Sequence, residues 1–278
     1  MIKLMNLLKE ITSPKSKMII MAGGAGAGKS TLVNKIKPSI SNFTILNPDD
    51  YVEGRKELKG FTKTGKVKEP NLTNASLEID NVDVPKAIEN KENFIWDTTA
   101  SNSDKIKSFI ANNASNYDTL MIMVYTHPIV SFLRNFKRER KVPKLGIIQT
   151  WNNVYGNIDT YKNTLGDNFI LYQSPDTEYQ KEISEFNKAV SEGRLYEWLE
   201  ELINSNPEQF ISTFRKTPSE PLSPEEQAKK DKASEKSREL YKAQVQKLEQ
   251  EFTNINDKIQ DSILTEPEVL SKVKSFAK

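Results

Sequence analysis

The chain has 278 residues, 40 of them Lys or Arg and 38 Asp or Glu, for a formal net charge of +2, with one histidine and no cysteine. This composition excludes disulfides, cysteine-ligated metals and a histidine-rich metal centre, and the small basic excess argues against a protein that coats nucleic acid. The length accommodates one large α/β domain plus an appendage; no apolar run approaches the roughly 20 residues of a membrane span, and the lack of cysteine fits a reducing cytoplasm.

Residues 1–16 are amphipathic and lack a signal-peptide core and cleavage site, which predicts a short helix packed on the domain. Residues 18–22 form an apolar run of buried-strand type. The next stretch places Gly23, Gly28, Lys29 and Ser30 in the pattern G-x-x-x-x-G-K-[ST]. A helix is predicted over residues 30–37, with Leu32, Val33 and Ile36 on one face and Pro38 ending it. Strand, glycine-rich loop and helix in that order make a P-loop. The backbone of Gly23, Gly24, Ala25, Gly26, Ala27, Gly28, Lys29, Ser30 and Thr31 would turn its N–H groups onto phosphate oxygens, aided by the start of the helix. Lys29 would reach the β- and γ-phosphates, and the Ser30 hydroxyl would ligate Mg²⁺.

A second strand is predicted at 43–46, followed by Asn47-Pro48-Asp49-Asp50-Tyr51. One of the two carboxylates has the position to accept a proton from an attacking hydroxyl; the competing reading is an Asp-rich turn that caps the next helix. A helix over 76–90 carries Pro85, which should kink or split it. The third strand, 94–96, runs into Asp97-Thr98-Thr99. Asp97 reads as a Mg²⁺ carboxylate, an acceptor-binding group or a helix cap. No second acid follows it, which weighs against a motor ATPase.

A helix over 103–113, a strand over 120–125 and a helix over 128–140 come next. His127 has the place of a structural residue between strand and helix. Arg134 and Arg138 stand four apart, which puts both on one face of the helix over 128–140, and Val142-Pro143 ends the segment. Planar guanidinium groups suit the charge of a transferring phosphoryl group, so the stretch reads as a kinase lid; a solvated basic helix end is the alternative. A helix over 146–164 and a fifth strand over 169–172 complete a strand–helix alternation. That alternation predicts an α/β fold of the P-loop NTPase type, a parallel sheet with helices on both faces and ligands beyond the carboxyl ends of the strands.

Beyond residue 176 the pattern predicts an all-helical extension. Helices are expected over 177–191 and 194–204, and a proline-rich linker over 215–224. A further helix starts at a Ser223-Pro224-x-Glu226 capping box. Within it Tyr241, Val245, Leu248, Phe252, Ile255 and Ile259 recur at heptad spacing, which fits either self-association or a helix laid back on the body. A last helix is expected near Glu266. The resulting organisation is 1–175 kinase domain, 176–215 helical extension, 216–224 linker and 225–278 amphipathic tail.

Taken together these stretches resemble the P-loop kinases that group bacteriophage polynucleotide 5′-hydroxyl kinases with zeta-toxin-type kinases, over residues 17–164. The resemblance lies in Asp49, twenty residues after Lys29 and inside Asn-x-Asp-Asp-Tyr; in Ile95-Trp96-Asp97-Thr98-Thr99; and in Arg134-Asn135-x-Lys137-Arg138 before Val142-Pro143. It implies an ATP- and Mg²⁺-dependent kinase with Asp49, rather than Asp50, as general base. It further implies Ser30 and Asp97 at the metal or acceptor, and Arg134 and Arg138 closing onto the phosphoryl group. The acceptors it implies are a hydroxyl on a nucleic acid, expected here as the leading substrate, or a UDP-linked amino sugar as in zeta-type kinases. It also raises a phage origin, with the host cytoplasm as location. Two departures stand out. Val52 occupies the place of an arginine that grips the acceptor phosphate in polynucleotide kinases, with Arg55 as the nearest substitute, and the Asp-x-Asp-Gly-Thr phosphatase motif is missing. A non-enzymatic alternative is a nucleotide-binding scaffold whose protein partner, or second copy, engages residues 225–264.

Overall fold

In the computed structural model of the protein, residues 15–58, 72–138, 142–205 and 224–278 are described. Ser16–Ala22 (β1) is fully buried from Met18 onward. Lys29–Ile36 (α1) follows the glycine loop and buries Leu32, Val33 and Ile36. Thr44–Leu46 (β2) leads into the single turn Asp49–Val52 (α2). Next come Leu72–Glu78 (α3), a π-helical segment Ile79–Asp83, and Val84–Glu89 (α4). The break falls just before Pro85, which lacks an N–H and whose ring crowds the carbonyl one turn back, so the i→i−4 ladder loosens there.

Phe94–Asp97 (β3) is buried along its length; Ser103–Asn113 (α5) and Tyr117–Tyr125 (β4) follow. Pro128–Phe136 (α6), Lys144–Tyr155 (α7) and Ile158–Leu165 (α8) precede Phe169–Gln173 (β5). Gln180–Ser191 (α9), Leu195–Ser205 (α10), Pro224–Gln260 (α11), Ile263–Leu264 (β6) and Glu266–Phe276 (α12) end the chain. The strands form one sheet in the order β2-β3-β1-β4-β5-β6, and every pair is parallel. β1 lies between β3 and β4, so the loop after β1 and Asp97 at the end of β3 meet at one edge of the fold. The register sets Met21 against Asp97.

Because side chains alternate along a strand, the sheet carries two cores. Met18, Ile20, Phe94, Trp96, Met121 and Met123 face one of them, shared with α6, α7 and α11. Ile19, Met21, Ile95, Ile122 and Val124 face the other, which α1 closes together with Val269 and Val273 of α12.

The expected P-loop α/β fold with a helical C-terminal region is the fold found. The tail is helical except for Ile263–Leu264, which extends the sheet beside β5. The heptad seam is not a free face: Tyr241, Val245, Leu248, Phe252, Ile255 and Ile259 are all buried in the first core. Of the two readings of that seam, the helix laid on its own body is the one observed, and the apolar stripe is not available for self-association. Phe252 sits in an aromatic cluster, 5.2 Å from both the His127 and Phe186 ring centroids. The predicted helix over 1–16 lies outside the described residues apart from its last two, of which Ser16 opens β1. The linker over 215–223 and the Ser223 cap also lie outside them. Among the described residues no helix is long and apolar enough to cross a membrane.

Candidate active site

The glycine loop is shaped by its own backbone demands. Gly23 has φ +146°, and a Cβ there would come within 2.9 Å of the Val124 carbonyl oxygen. Gly26 has φ +77°, and a Cβ there would lie 2.7 Å from the Ser131 carbonyl oxygen. Both values lie where side chains are strained, and both neighbours are backbone that cannot swing aside. The loop carbonyls are then tied off one by one. Gly23 O accepts from Lys29 Nζ at 2.8 Å, Ala25 O accepts from the Ser131 hydroxyl, and Ala27 O accepts from the Thr126 hydroxyl at 3.0 Å. Gly26 O lies 3.5 Å from Arg134 Nη1. Fixing the carbonyls fixes the peptide planes, and with them the direction of the loop N–H groups.

Residues 24–30 of this loop form one wall of a cavity of about 410 Å³. The cavity is also lined by Asn47, Pro48 and Asp49, by the stretch from Trp96 to Asn102, and by Arg138. Of the predicted phosphate-binding residues, Gly23 and Thr31 flank the cavity without lining it, and Thr31 is exposed.

The two adjacent carboxylates part company. Asp49 lines the cavity, and its N–H donates to Asn47 Oδ1 at 3.0 Å, a local turn that sets the start of α2. Asp50 does not line the cavity. Its carboxylate takes Arg55 Nε at 2.9 Å and Arg55 Nη2 at 2.8 Å. Arg55 also pairs with Glu53, so the candidate substitute for the arginine missing at Val52 is committed to two neighbours away from the cavity. Tyr51, which follows the two acids, is buried and donates to Asp83 Oδ2 at 2.6 Å, tying α2 to the π segment.

Asp97 ends β3, is 6 % exposed, and lies 3.6 Å from the Lys29 ammonium. Burial pushes its carboxyl above the ordinary carboxylate range; Lys29 opposes this, and the charges of Asp49 and Asp50 act with burial. Asp97 is not a helix cap, because Asn102 caps α5 by accepting from Lys105 N at 3.0 Å. The loop between them carries Ala100 at φ +53°, with its carbonyl held by the Tyr161 hydroxyl at 2.6 Å.

The two arginines do not share a face. α6 stops at Phe136, and Lys137 is its C-cap. Arg138 therefore lies beyond the helix, where it lines the cavity. Arg134 stays on the helix and lies outside the cavity lining. Its guanidinium donates to Ser174 Oγ at 3.0 Å and to the Pro175 carbonyl, and stacks 5.6 Å from the Tyr179 ring. The four-residue spacing gave a common face only for a helix running to residue 140. Asn135, on α6, accepts from Val142 N at 3.0 Å and donates to the Val142 carbonyl at 2.9 Å.

His127 has the structural place expected of it. Its Nδ1 accepts from Ile129 N at 3.4 Å at the start of α6, and burial against Phe186 and Phe252 lowers its pKa to about 4. Sequence reasoning missed two charged cavity residues, Asp80 and Lys105. Lys105 Nζ lies 2.5 Å from Asp80 Oδ2 and 5.8 Å from the Trp96 ring centroid. Their 25-residue separation leaves no local motif; only the packing of α5 against the π segment joins them. Among the described residues no cluster of three or more His, Asp or Glu side chains stands ready for a metal.

Comparison with known proteins bears on this geometry. The family model for zeta toxin matches residues 6–176. No curated protein matches the chain. Among solved structures, the complex of AvrRxo1-ORF1 with AvrRxo1-ORF2 containing sulphate ions is similar at 15 % identity and a TM-score of 0.44. That likeness covers 60 % of this chain and 57 % of the other, so the protein spans little more than half of its relative's length. A structure of the PezAT chromosomal toxin–antitoxin system of Streptococcus pneumoniae is similar at 18 % identity and a TM-score of 0.35, over 62 % of this chain and 75 % of the other. The family match supports the zeta-toxin side of the sequence resemblance. Nothing in it supports the polynucleotide-kinase branch or a phage origin.

Proposed function

Because the chain belongs to the zeta toxin family, a family of kinase type with a P-loop, we propose that it moves the γ-phosphoryl group of ATP onto a hydroxyl of a nucleotide-linked sugar. The observation that carries this reading is the convergence on one cavity of the loop 24–30, Asp49, Asp97 and Arg138, with Asp50 neutralised outside it. The loop amides and Lys29 hold the β- and γ-phosphates. Arg138 meets the charge on the phosphoryl group in flight. Asp49 orients the acceptor hydroxyl and takes its proton as the oxygen attacks phosphorus and the bond to the leaving ADP oxygen breaks. Arg134 supports the loop from outside by holding the Gly26 carbonyl and the segment after β5.

The donor set fits Mg²⁺. Ser30 and Asp97 both line the cavity and would supply oxygen ligands, and this ion is usually bound by one or two protein groups plus phosphates and water. When bound there it would neutralise phosphate charge. Asp97 would be ionised beside it, and Lys29 would turn from Asp97 and the Gly23 carbonyl to the phosphates.

A nucleotide sugar takes precedence over a nucleic acid as acceptor because the family match lies on the zeta-toxin side, and because Val52 and the committed Arg55 leave the arginine place of the polynucleotide kinases unfilled among the described residues. Incubation with γ-labelled ATP and a panel of acceptors tests the reading. Label is expected on UDP-N-acetylglucosamine. Label on a 5′-hydroxyl oligonucleotide instead would move the acceptor to the nucleic-acid class, and ATP binding with no transfer to any acceptor would leave the scaffold alternative. Lys29→Ala is expected to weaken both ATP binding and transfer.

A further inference from the structure

The roles assigned to the loop, Asp49, Asp97 and Arg138 leave one group of cavity residues without a task. Trp96 lies on β3, Lys105 in the first turn of α5 and Asp80 in the π segment, and all three line the cavity. The Lys105 ammonium touches the Asp80 carboxylate at 2.5 Å, and the two side chains are 50 % and 19 % exposed. The ammonium half of the pair is open to water, and an ion pair reached by water in this way is weak and exchanges readily. A phosphate group carries more charge than one carboxylate and offers several acceptor oxygens, so it competes well for the same ammonium. Lys29 and Arg138 serve the phosphoryl donor. Among the described cavity residues, Lys105 is the remaining cation, and Asp80, Ile79 and Ile106 line the cavity with it.

We propose that Lys105 recognises a phosphate group on the acceptor, and that Asp80 holds the ammonium in place until that group displaces it. The inference rests on the kinase reading above and adds to it the residues that would meet a phosphate or diphosphate already borne by the acceptor. A nucleotide sugar and an oligonucleotide both carry such a group, and the pair Lys105–Asp80 would act as a specificity determinant for either.

Steady-state kinetics of the full chain test this with UDP-N-acetylglucosamine, a 5′-hydroxyl oligonucleotide and phosphate-free N-acetylglucosamine as acceptors. On whichever phosphorylated acceptor the wild type uses, Lys105→Ala is expected to raise the acceptor KM about tenfold while the ATP KM holds, and Lys105→Arg to restore most of the loss. Asp80→Asn frees the ammonium and is expected to lower the acceptor KM about threefold, an effect that disappears when Lys105→Ala is also present. A structural role for the pair would not produce that fall. An unchanged acceptor KM in Lys105→Ala, or an equal rise in KM from both single variants, overturns the proposal while leaving the kinase reading intact. If the wild type phosphorylates no acceptor, the kinase reading fails, and calorimetry with UDP in the presence of a non-hydrolysable ATP analogue and Mg²⁺ decides this one. Loss of about tenfold in UDP affinity in Lys105→Ala supports it, and equal affinity overturns it.

Discussion

Two neighbouring aspartates differ only in what surrounds them. Asp50 is bound by Arg55, whereas Asp49 lines the cavity, so the same side chain is a surface ion-pair partner at one position and a candidate base at the next. The sequence pattern Asp-Asp-Tyr left both open, because a pattern does not say which way a one-turn helix faces; the Asn47 turn and the Tyr51–Asp83 bond decide it. His127 supplies a prediction at the same scale. Its pKa is about 4 in the fold against about 6.5 unfolded, so the unfolded chain binds the proton more readily between those values. Stability is therefore full above pH 6.5 and falls as the pH drops toward 4. The loss at pH 5 relative to neutral pH should be about 2 kcal/mol from this residue. Urea unfolding at pH 7.5 and pH 5 checks it: wild type should lose about 2 kcal/mol more than His127→Asn, which keeps a capping side chain. Equal losses in the two proteins would contradict it.

At the level of elements, strands were the most legible feature. β1, β3 and β4 are near-continuous apolar runs because a parallel sheet buries both faces, and their positions followed from that alone. Ile263–Leu264 escaped notice, since two apolar residues after a long helix carry no period of their own. The segment read as a lid was legible only as a basic helix: the end of α6 at Phe136, which places Arg138 at the cavity and Arg134 outside it, carries no signal in the spacing. That division has kinetic consequences. Arg138→Ala should lower the transfer rate by about 10²–10³-fold with little change in ATP binding. Arg134→Ala should act mainly by loosening the loop, raising the ATP KM. A larger fall in transfer rate for Arg134→Ala than for Arg138→Ala would reverse the two roles. Phe252 of α11 is 5 % exposed within its aromatic cluster, and Phe252→Ala should cost about 3–5 kcal/mol of stability by chemical denaturation.

For the whole molecule, composition and motif order sufficed to place the chain among P-loop α/β proteins, but not to show how the tail attaches. An a/d stripe reads the same whether it meets a second copy or its own core. Here it meets its own core, and β6 and α12 close the far side of the sheet. Cutting the chain at residue 215 is consequently expected to unfold the body. Removing 216–278 uncovers the partners of six large seam residues, each worth about 1.5–3 kcal/mol when buried. The sum is on the order of the 5–15 kcal/mol that holds a domain together. The truncated chain should be insoluble or unfolded by circular dichroism; a stable, folded fragment would show that the tail is an optional appendage.

The central claim is that Asp49 removes the acceptor proton at a P-loop-bound phosphoryl group, and single-turnover transfer from γ-labelled ATP tests it most directly. Asp49→Asn should keep ATP affinity within about twofold and lose transfer by about 10²–10⁴-fold, while Asp50→Asn should retain most of it. Normal transfer by Asp49→Asn, or a comparable loss in Asp50→Asn with Asp49 intact, would contradict the assignment.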